Sequence, residues 1–450
     1  MKNLNLSPDE ISVLSQICNE CTGFCSDSRK IKKGEVFVAL KGDLTDGHDF
    51  IDALLDLGIK HFVVTNDSDA KWRSKKGRFV EVQNTHLAHR ELARLFRVKF
   101  KNVKILAVGG SAGKTSTKEF LFTLLESSGV KVFKTQKSQN GDLGIPITLE
   151  NLGRGFDFGI VEVGIDAPGD MIRHASLLKP DAAVLTSIGE EHLNLLGTIE
   201  NVFSEEKILF DETLNHGGPC FAPIADSFLN RLAGQKDIFL LDLKTPEGFL
   251  HDSLYQFLPS RVARQNAKLA TFTLVSLGWV KPDLVTANLS KLQLPEGRGR
   301  IRVYGNKWVI EDHYNSNPSS LGESLKDATD FSQTHKKPLI LVLGDMLDLG
   351  KSTAQMHEKI FESLKNLPTD SRFVFVGTEM ANRGMKSFEP ERILFSAEKL
   401  EPSVSQQIAQ MLFSRKDSAI VLVKGSRGMR LEGILQAWGE FASPTQFEGR

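Results

Sequence analysis

Short apolar runs alternate with amphipathic stretches along most of the chain. Ile105 to Val108, Phe158 to Val163, Ala182 to Ser187, Leu339 to Leu343, Phe373 to Val376 and Ile420 to Val423 are nearly unbroken in apolar residues. Such runs fit strands covered on both faces. Val36 to Leu40, His61 to Thr65 and Lys307 to Glu311 read as further strands. Between them apolar residues recur at helical spacing, as at Phe120, Leu121, Leu124 and Leu125. Helices are also expected from Phe50 to Leu57 and from Arg261 to about Leu277. Strand and helix alternating throughout predict an α/β protein built on parallel sheets.

The pattern breaks before Val103 and again at Pro295-Glu296-Gly297-Arg298. Three domains are expected, 1–102, 103–296 and 297–450, in keeping with ~150 residues per domain. No internal repeat stands out.

One stretch carries clear chemistry. The apolar run ending at Val108 leads into Gly109-Gly110-Ser111-Ala112-Gly113-Lys114-Thr115-Ser116, and a helical pattern follows at once. A buried strand, a glycine loop and a helix N-terminus make a phosphate cradle, because small residues let backbone N–H groups approach an anion. The loop is the short G-x-x-G-K-T form, with Val108 where the longer motif has glycine. Lys114 would reach the outer phosphates of a nucleotide, and Thr115 would hold magnesium. Gly350-Lys351-Ser352 also follows a strand and a glycine. Met346, Leu347 and Leu349 intervene, and bulky residues prevent close backbone approach. A loop and helix start are expected there.

Charge narrows the partners. The chain has 56 basic and 56 acidic residues, which argues against a nucleic-acid partner bound mainly through phosphates. The N-terminus carries acids and lacks the apolar core of a secretory signal, and no apolar run approaches the ~18 residues needed to cross a bilayer. A cytoplasmic location without membrane insertion is expected. Cys18, Cys21 and Cys25 have a spacing that invites zinc, but the nearest histidine, His48, sits in a different motif. With Cys220, they are expected to be reduced, partly buried thiols.

Strand ends supply further candidates. Glu162 and His192 fall at the carboxyl ends of strands, where ligands collect in open parallel sheets. Glu162 is a candidate magnesium ligand; His192 is a softer one. Ser28-Arg29, a hydroxyl beside an arginine in a loop, suits a phosphate or carboxylate or else a solvated turn.

Taken in order, these segments resemble the Mur ligase family over nearly the whole chain. GSAGKTSTK (110–118) resembles the family's ATP loop. NGDLGIP (140–146), VEVG (161–164) and IGEEHL (188–193) resemble its central-domain motifs. DHYNSNPSS (312–320), VLGDMLDLG (342–350) and VKGSRG (423–428) resemble the C-terminal motifs of its dipeptide-adding member. DSRKIKKGEVFVALKG with DGHDF (27–50) resembles that member's UDP-binding domain. The resemblance implies an N-terminal UDP-substrate domain, a central P-loop ATPase-like domain and a C-terminal Rossmann-like domain. It also implies an ATP- and Mg2+-dependent ligase joining D-alanyl-D-alanine to UDP-N-acetylmuramoyl-tripeptide. Only small-molecule substrates, and a monomer, are expected.

The resemblance assigns roles to residues. Gly110, Ser111, Ala112, Gly113, Lys114, Thr115 and Ser116 would hold the ATP phosphates. Thr115, Glu162 and His192 would serve the metal. Asn266 matches a position near adenine, although Gln265 replaces the family's histidine beside it. Arg298, Asp312 and Tyr314 match positions near the nucleotide. Ser28, Arg29, Asn140, Asn315, Asn317, Lys424, Ser426 and Arg427 would face the UDP substrate or the dipeptide. Lys114, His192 and Lys207 are the catalytic candidates. The family carries a lysine carbamylated by carbon dioxide on the helix after the histidine. Lys207 falls one residue late, with Glu206 at the expected place, and one residue is ~100° of helix. Either a bulge restores Lys207, which is the reading preferred here, or Glu206 supplies the carboxylate.

Two competing readings remain. One is a related ligase, such as a folylpolyglutamate-type enzyme, with another amino substrate. The other is a nucleotide switch, since Asp166-Ala167-Pro168-Gly169 fits D-x-x-G. The guanine-reading N-K-x-D is lacking, because Asn306-Lys307 is followed by Trp308-Val309.

Overall fold

A computed structural model describes residues 5–66, 71–242 and 248–447. Three sheets succeed one another along it. The first has four parallel strands in chain order: Gly23–Cys25, Glu35–Val38, His61–Thr65 and Arg78–Val82. The helices Pro8–Glu20 and Thr85–Lys99 pack against each other on it. Ser7 starts the first of these with a reciprocal cap to Glu10, and Pro8 occupies the first helical position, where no N–H is needed. The expected helix from Phe50 is a short 3-10 turn, Gly47–Phe50, followed by Ile51–Asp56.

The second sheet has six parallel strands, in the order Ile238–Leu241, Cys220–Pro223, Ala182–Leu185, Lys104–Gly109, Phe158–Glu162, Val132–Lys134. Lys104–Gly109 thus lies inside the sheet, which explains its unbroken apolar run. The helices Lys114–Ser127 and Arg261–Ser276 pack together over one face. Leu106, Phe120, Leu124, Ala267 and Leu274 share the core there.

The third sheet has seven strands, in the order Ile393–Ala397, Arg372–Val376, Leu339–Gly344, Ala419–Lys424, Lys307–Glu311, Arg300–Tyr304, Thr445–Gln446. Two strands at one end of this sheet depart from the parallel pairing of the rest. Arg300–Tyr304 runs antiparallel to Lys307–Glu311, and Thr445–Gln446 antiparallel to Arg300–Tyr304. Only Gly305 and Asn306 separate the paired Tyr304 and Lys307, and a two-residue loop can join only antiparallel strands. Gly305 supplies the positive φ, 59°, that such a turn requires.

The first two sheets are joined by buried polar groups. Glu150 accepts from Ser26 N at 3.0 Å and Ser26 Oγ at 2.6 Å, and its Oε1 lies 2.8 Å from His89 Nε2. Arg154 grips Glu35 through two bonds of 2.8 and 3.0 Å. Arg97 donates to Leu178 O, Val103 O and Asp181. Glu150 therefore fixes the loop that leads to Ser28 and Arg29. Glu150→Ala leaves the buried His89 and the half-buried Ser26 without this partner. It is expected to lower unfolding free energy by about 3 kcal/mol in urea titrations.

All four cysteines are free and buried. Burial pushes the Cys21 thiol up to about 11. His48 is engaged with Asp46 and Thr65 N, and its ring stacks on Trp72. Among the described residues no helix is long and apolar enough to cross a membrane.

Candidate functional site

The strand Lys104–Gly109 ends in a loop that turns directly into the helix Lys114–Ser127. Gly110 and Gly113 take φ of 108° and 89°. A Cβ on Gly110 would lie 2.5 Å from Thr186 Oγ1, and one on Gly113 would lie 2.9 Å from the Asn266 amide. Only glycine fits either place. The neighbouring strand end holds the loop: Ser111 N donates to Ser187 O at 2.7 Å, and Ala112 N to Ser187 Oγ at 3.2 Å.

Lys114 points back over the loop. Its Nζ donates to Gly110 O and lies 3.6 Å from Glu191 Oε2. From the other side Glu206 Oε2 accepts from Gly110 N at 2.8 Å. Burial works against the charge on Lys114, but Glu191, Glu206 and Glu162 outweigh it and raise its pKa. Burial also raises both facing acids; Glu206 is pushed up to about 8, with Lys114 opposing. Glu191 Oε1 and Glu206 Oε1 are buried without a hydrogen-bond partner.

Glu162 sits beside the start of the helix. Its Oε1 accepts from Thr115 Oγ1 at 3.2 Å and from Asn140 Nδ2 at 2.8 Å. Its Oε2 is buried without a hydrogen-bond partner, 3.3 Å from Lys118 Nζ. Lys118 is fully buried and also donates to Lys137 O at 2.6 Å. Asn140, expected on the substrate side, is thus tied to Glu162.

His192 lies at the head of the short helix Leu193–Leu196, with φ 49°. Its Nδ1 is 3.4 Å from Asp166 Oδ1, so the D-x-x-G acid faces this histidine. Among the described residues no three His, Cys, Asp or Glu side chains converge as a metal-binding group.

The C-terminal domain closes the site. Arg298 Nη2 donates to Thr115 Oγ1 at 3.2 Å, and its guanidinium lies 4.0 Å from the Tyr314 ring centroid. Burial lowers the Arg298 pKa, with Glu162 and Asp312 opposing. Lys424 Nζ donates to Asp312 Oδ2 at 2.7 Å and to Asn315 O at 3.2 Å. Asn317 caps the helix Pro318–His335, and Ser426 Oγ donates to Ser316 O at 3.0 Å. Arg427 is largely exposed, paired with Glu432 at 3.1 Å.

One cavity of about 370 Å³ opens beside the loop, and Lys114, Glu162, His192, Tyr314, Ser426 and Arg427 are not among its lining residues. Ser111, Gly113, Thr115, Ser116, Asn266 and Arg298 line it together with Asp312, Asn315, Asn317 and Lys424. Gln265, in place of the expected histidine, also lines it. Ser28 and Arg29 do not; Arg29 is exposed and paired with Asp27 at 2.9 Å.

Three family models match this chain in order. They are the Mur ligase family catalytic domain at residues 20–97, the Mur ligase middle domain at 108–245, and the Mur ligase glutamate ligase domain at 299–427. The chain belongs to the Mur ligase family. It is 26% identical over 445 residues to a UDP-N-acetylmuramoyl-tripeptide–D-alanyl-D-alanine ligase of Rickettsia prowazekii, covering 93% of this chain and 94% of that protein. The Bacillus subtilis protein of the same name is 27% identical over 438 residues, covering 92% of each. The fold is similar to a crystal structure of MurF from Acinetobacter baumannii, with a TM-score of 0.76, 23% identity and coverage of 97% and 100%. MurF ligase from Thermotoga maritima, solved with ADP, gives 0.73 at 22% identity, covering 94% and 98%.

Against the family pattern, the placement of Lys207 is corrected. Its Nζ pairs with Asp211 one turn on, and the side chain is 31% exposed. No bulge interrupts the helix Ile199–Asn215, so Lys207 and Glu206 cannot both face the loop, and Glu206 is the fully buried one. Lys118 and Glu191 are the groups that sequence reasoning missed. Lys118 stands four residues after Lys114, so both share one face of the helix. Glu191 is the residue before His192.

Proposed function

We propose that this chain is an ATP-dependent ligase joining D-alanyl-D-alanine to UDP-N-acetylmuramoyl-tripeptide, with domains divided near residues 102 and 296. The observation that carries this is the shared cavity. The phosphate loop and the Asp312–Lys424 pair line it together, in a family whose named relatives make this bond.

A carboxylate does not acylate an amine at neutral pH, because its oxygen leaves poorly. In the proposed route a carboxylate oxygen of the tripeptide attacks the γ-phosphorus of ATP, and the bond to the ADP oxygen breaks. The amine of the dipeptide then attacks the acyl carbon, losing a proton, and inorganic phosphate leaves. Charge on the transferring phosphoryl group is spread over its oxygens. Lys114 and the N-terminus of the helix Lys114–Ser127 are placed to stabilise it.

Magnesium fits the residues present. Glu162 Oε2 is a buried oxygen that accepts no hydrogen bond and faces the Lys118 ammonium at 3.3 Å, and Thr115 Oγ1 bonds the other oxygen of the same carboxylate. Magnesium usually keeps several waters and takes few protein oxygens beside substrate phosphates. Thr115 and Glu162 would hold it, and it would supply neutralising charge at the phosphates, while His192 faces Asp166.

Glu206 stands in for the family's modified lysine in this reading. Its carboxyl already lies under the loop and accepts from Gly110 N, so no carbon dioxide is needed to place an oxygen there. Arg298, Asp312 and Tyr314 serve the nucleotide, with Asn266 toward its base. Asn315, Asn317, Ser426 and Arg427 lie toward the incoming dipeptide, and Ser28 and Arg29 toward the UDP substrate. A monomer is part of this reading. The test is ADP release with UDP-linked tripeptide and D-alanyl-D-alanine, each omitted in turn. Turnover is expected only with both present. Equal turnover with lysine, diaminopimelate or glutamate in place of the dipeptide would overturn the substrate assignment.

A further inference from the structure

The turn Asp345 to Ser352, which imitates a phosphate loop in sequence, makes an interdomain contact. Its own domain pins it firmly. Ser426 N donates to Asp345 O at 3.1 Å, Leu347 N donates to Ser426 Oγ at 2.9 Å, and Met346 N donates to His357 Nε2 at 3.2 Å. Met346 and Leu349 are buried, so the bulky residues of the motif serve as anchors. Asp348 and Gly350 have φ of 63° and 55°, which aims the tip of the turn outward.

That tip rests on the central domain. Asn194 N donates to Asp348 O at 3.3 Å. Gly350 lies flat on the Asn194 backbone: a Cβ there would be 2.8 Å from Asn194 Cα and 3.1 Å from its Cβ. Beside this contact Lys359 Nζ lies 3.4 Å from Glu190 Oε1. The segment being touched, Glu190 to Asn194, carries Glu191, which faces Lys114 at 3.6 Å, and His192.

We propose that Asp348 and Gly350 are positioning residues. By docking on Asn194 they set the Glu191–His192 segment against the phosphate loop, so the site is complete only when the C-terminal domain is seated. This rests on the ligase reading above. The positive φ favours glycine at 350, and the lack of space for a Cβ against Asn194 requires it. Ordinary carbon contacts lie at about 3.5–4.0 Å, so a methyl group at 350 must part the two backbones by about 1 Å. Misplacement of that size in a positioned site can cost about 100-fold in rate.

Gly350→Ala is tested beside Gly305→Ala. Gly305 has φ 59° and nothing within 4 Å of its Cβ position, so it bears the same backbone cost without the clash. Gly305→Ala is expected to keep kcat within about twofold. Gly350→Ala should lose about 10- to 100-fold in kcat, with KM for the UDP-linked substrate within about twofold, because Ser28 and Arg29 lie in the first domain. Hydrogen exchange of residues 190–197 in the ligand-free protein should rise in Gly350→Ala alone. Equal kcat and equal exchange in the two variants would overturn the proposal. If Gly350→Ala does not fold, Lys359→Glu, which sets like charges together at the same contact, is scored by the same two measurements. It should lose about 3- to 10-fold in kcat with raised exchange, and no change in either overturns the idea. A wild-type protein without ATP-dependent ligation would defeat the functional reading instead, and the exchange comparison would still decide the contact.

Discussion

Lys114→Ala is expected to reduce ligase turnover by about a thousandfold, measured as ADP release with all substrates saturating. The lysine is enclosed, 14% exposed, between Gly110 O and Glu191. Three acids hold its pKa above the ordinary lysine value, so it stays charged throughout the neutral range. A fixed charge in such a place needs no reorganisation when charge develops on a phosphoryl group, which is why its loss falls on kcat as well as on nucleotide binding. The variant should nonetheless fold. Removing one partner of a buried ion pair costs about 3–5 kcal/mol where the other charge is stranded. Here the stranded groups can take up protons instead, since burial already raises Glu191 and holds Glu206 at about 8. Lys114→Arg keeps the charge but not the point geometry of the ammonium, and should recover only part of the rate. Wild-type turnover in Lys114→Ala would remove the phosphate loop from the mechanism.

Much of this architecture was legible because the relevant signals are local. An unbroken apolar run, glycines and a helical period follow one another within Lys104 to Leu125, and each has one physical meaning. His61–Thr65 and Lys307–Glu311 were bounded as observed for the same reason. The hairpin was missed because Arg300–Tyr304 is short and only partly buried, and lies beside a break that marks a domain boundary. Lys118 was missed because a lysine one turn into a helix normally reaches solvent. It is buried only because Glu162 and Lys137 O come from other elements to meet it. The gathering of Asp312, Asn315 and Lys424 around the loop depends on how two sheets dock, and spacing does not encode that directly.

Burial along one helix favours Glu206, against the preference for Lys207 drawn from the sequence. In the helix Ile199–Asn215 the buried positions include Val202, Glu206, Leu209, Phe210 and Thr213. These follow the three- and four-residue steps of one helical face, so the apolar stripe passes through 206 and leaves 207 outside it. Lys207 instead meets Asp211, four residues on, as a partly exposed pair. Two substitutions should therefore behave in opposite ways. Lys207→Met is expected to keep turnover within about threefold, because an exposed pair of this kind is worth little. Glu206→Ala should lose about 100-fold, since it strips both the acceptor for Gly110 N and the carboxylate facing Lys114. Glu206→Gln keeps an acceptor for Gly110 N without the charge, and should fall between them at about tenfold. Intact-protein mass should show Lys207 unmodified, and the rate should not respond to removal or addition of bicarbonate. An inactive Lys207→Met enzyme, or a carboxylated lysine in the mass spectrum, would return the role to Lys207. It would also require the helix to rotate by about 100° from the register seen here.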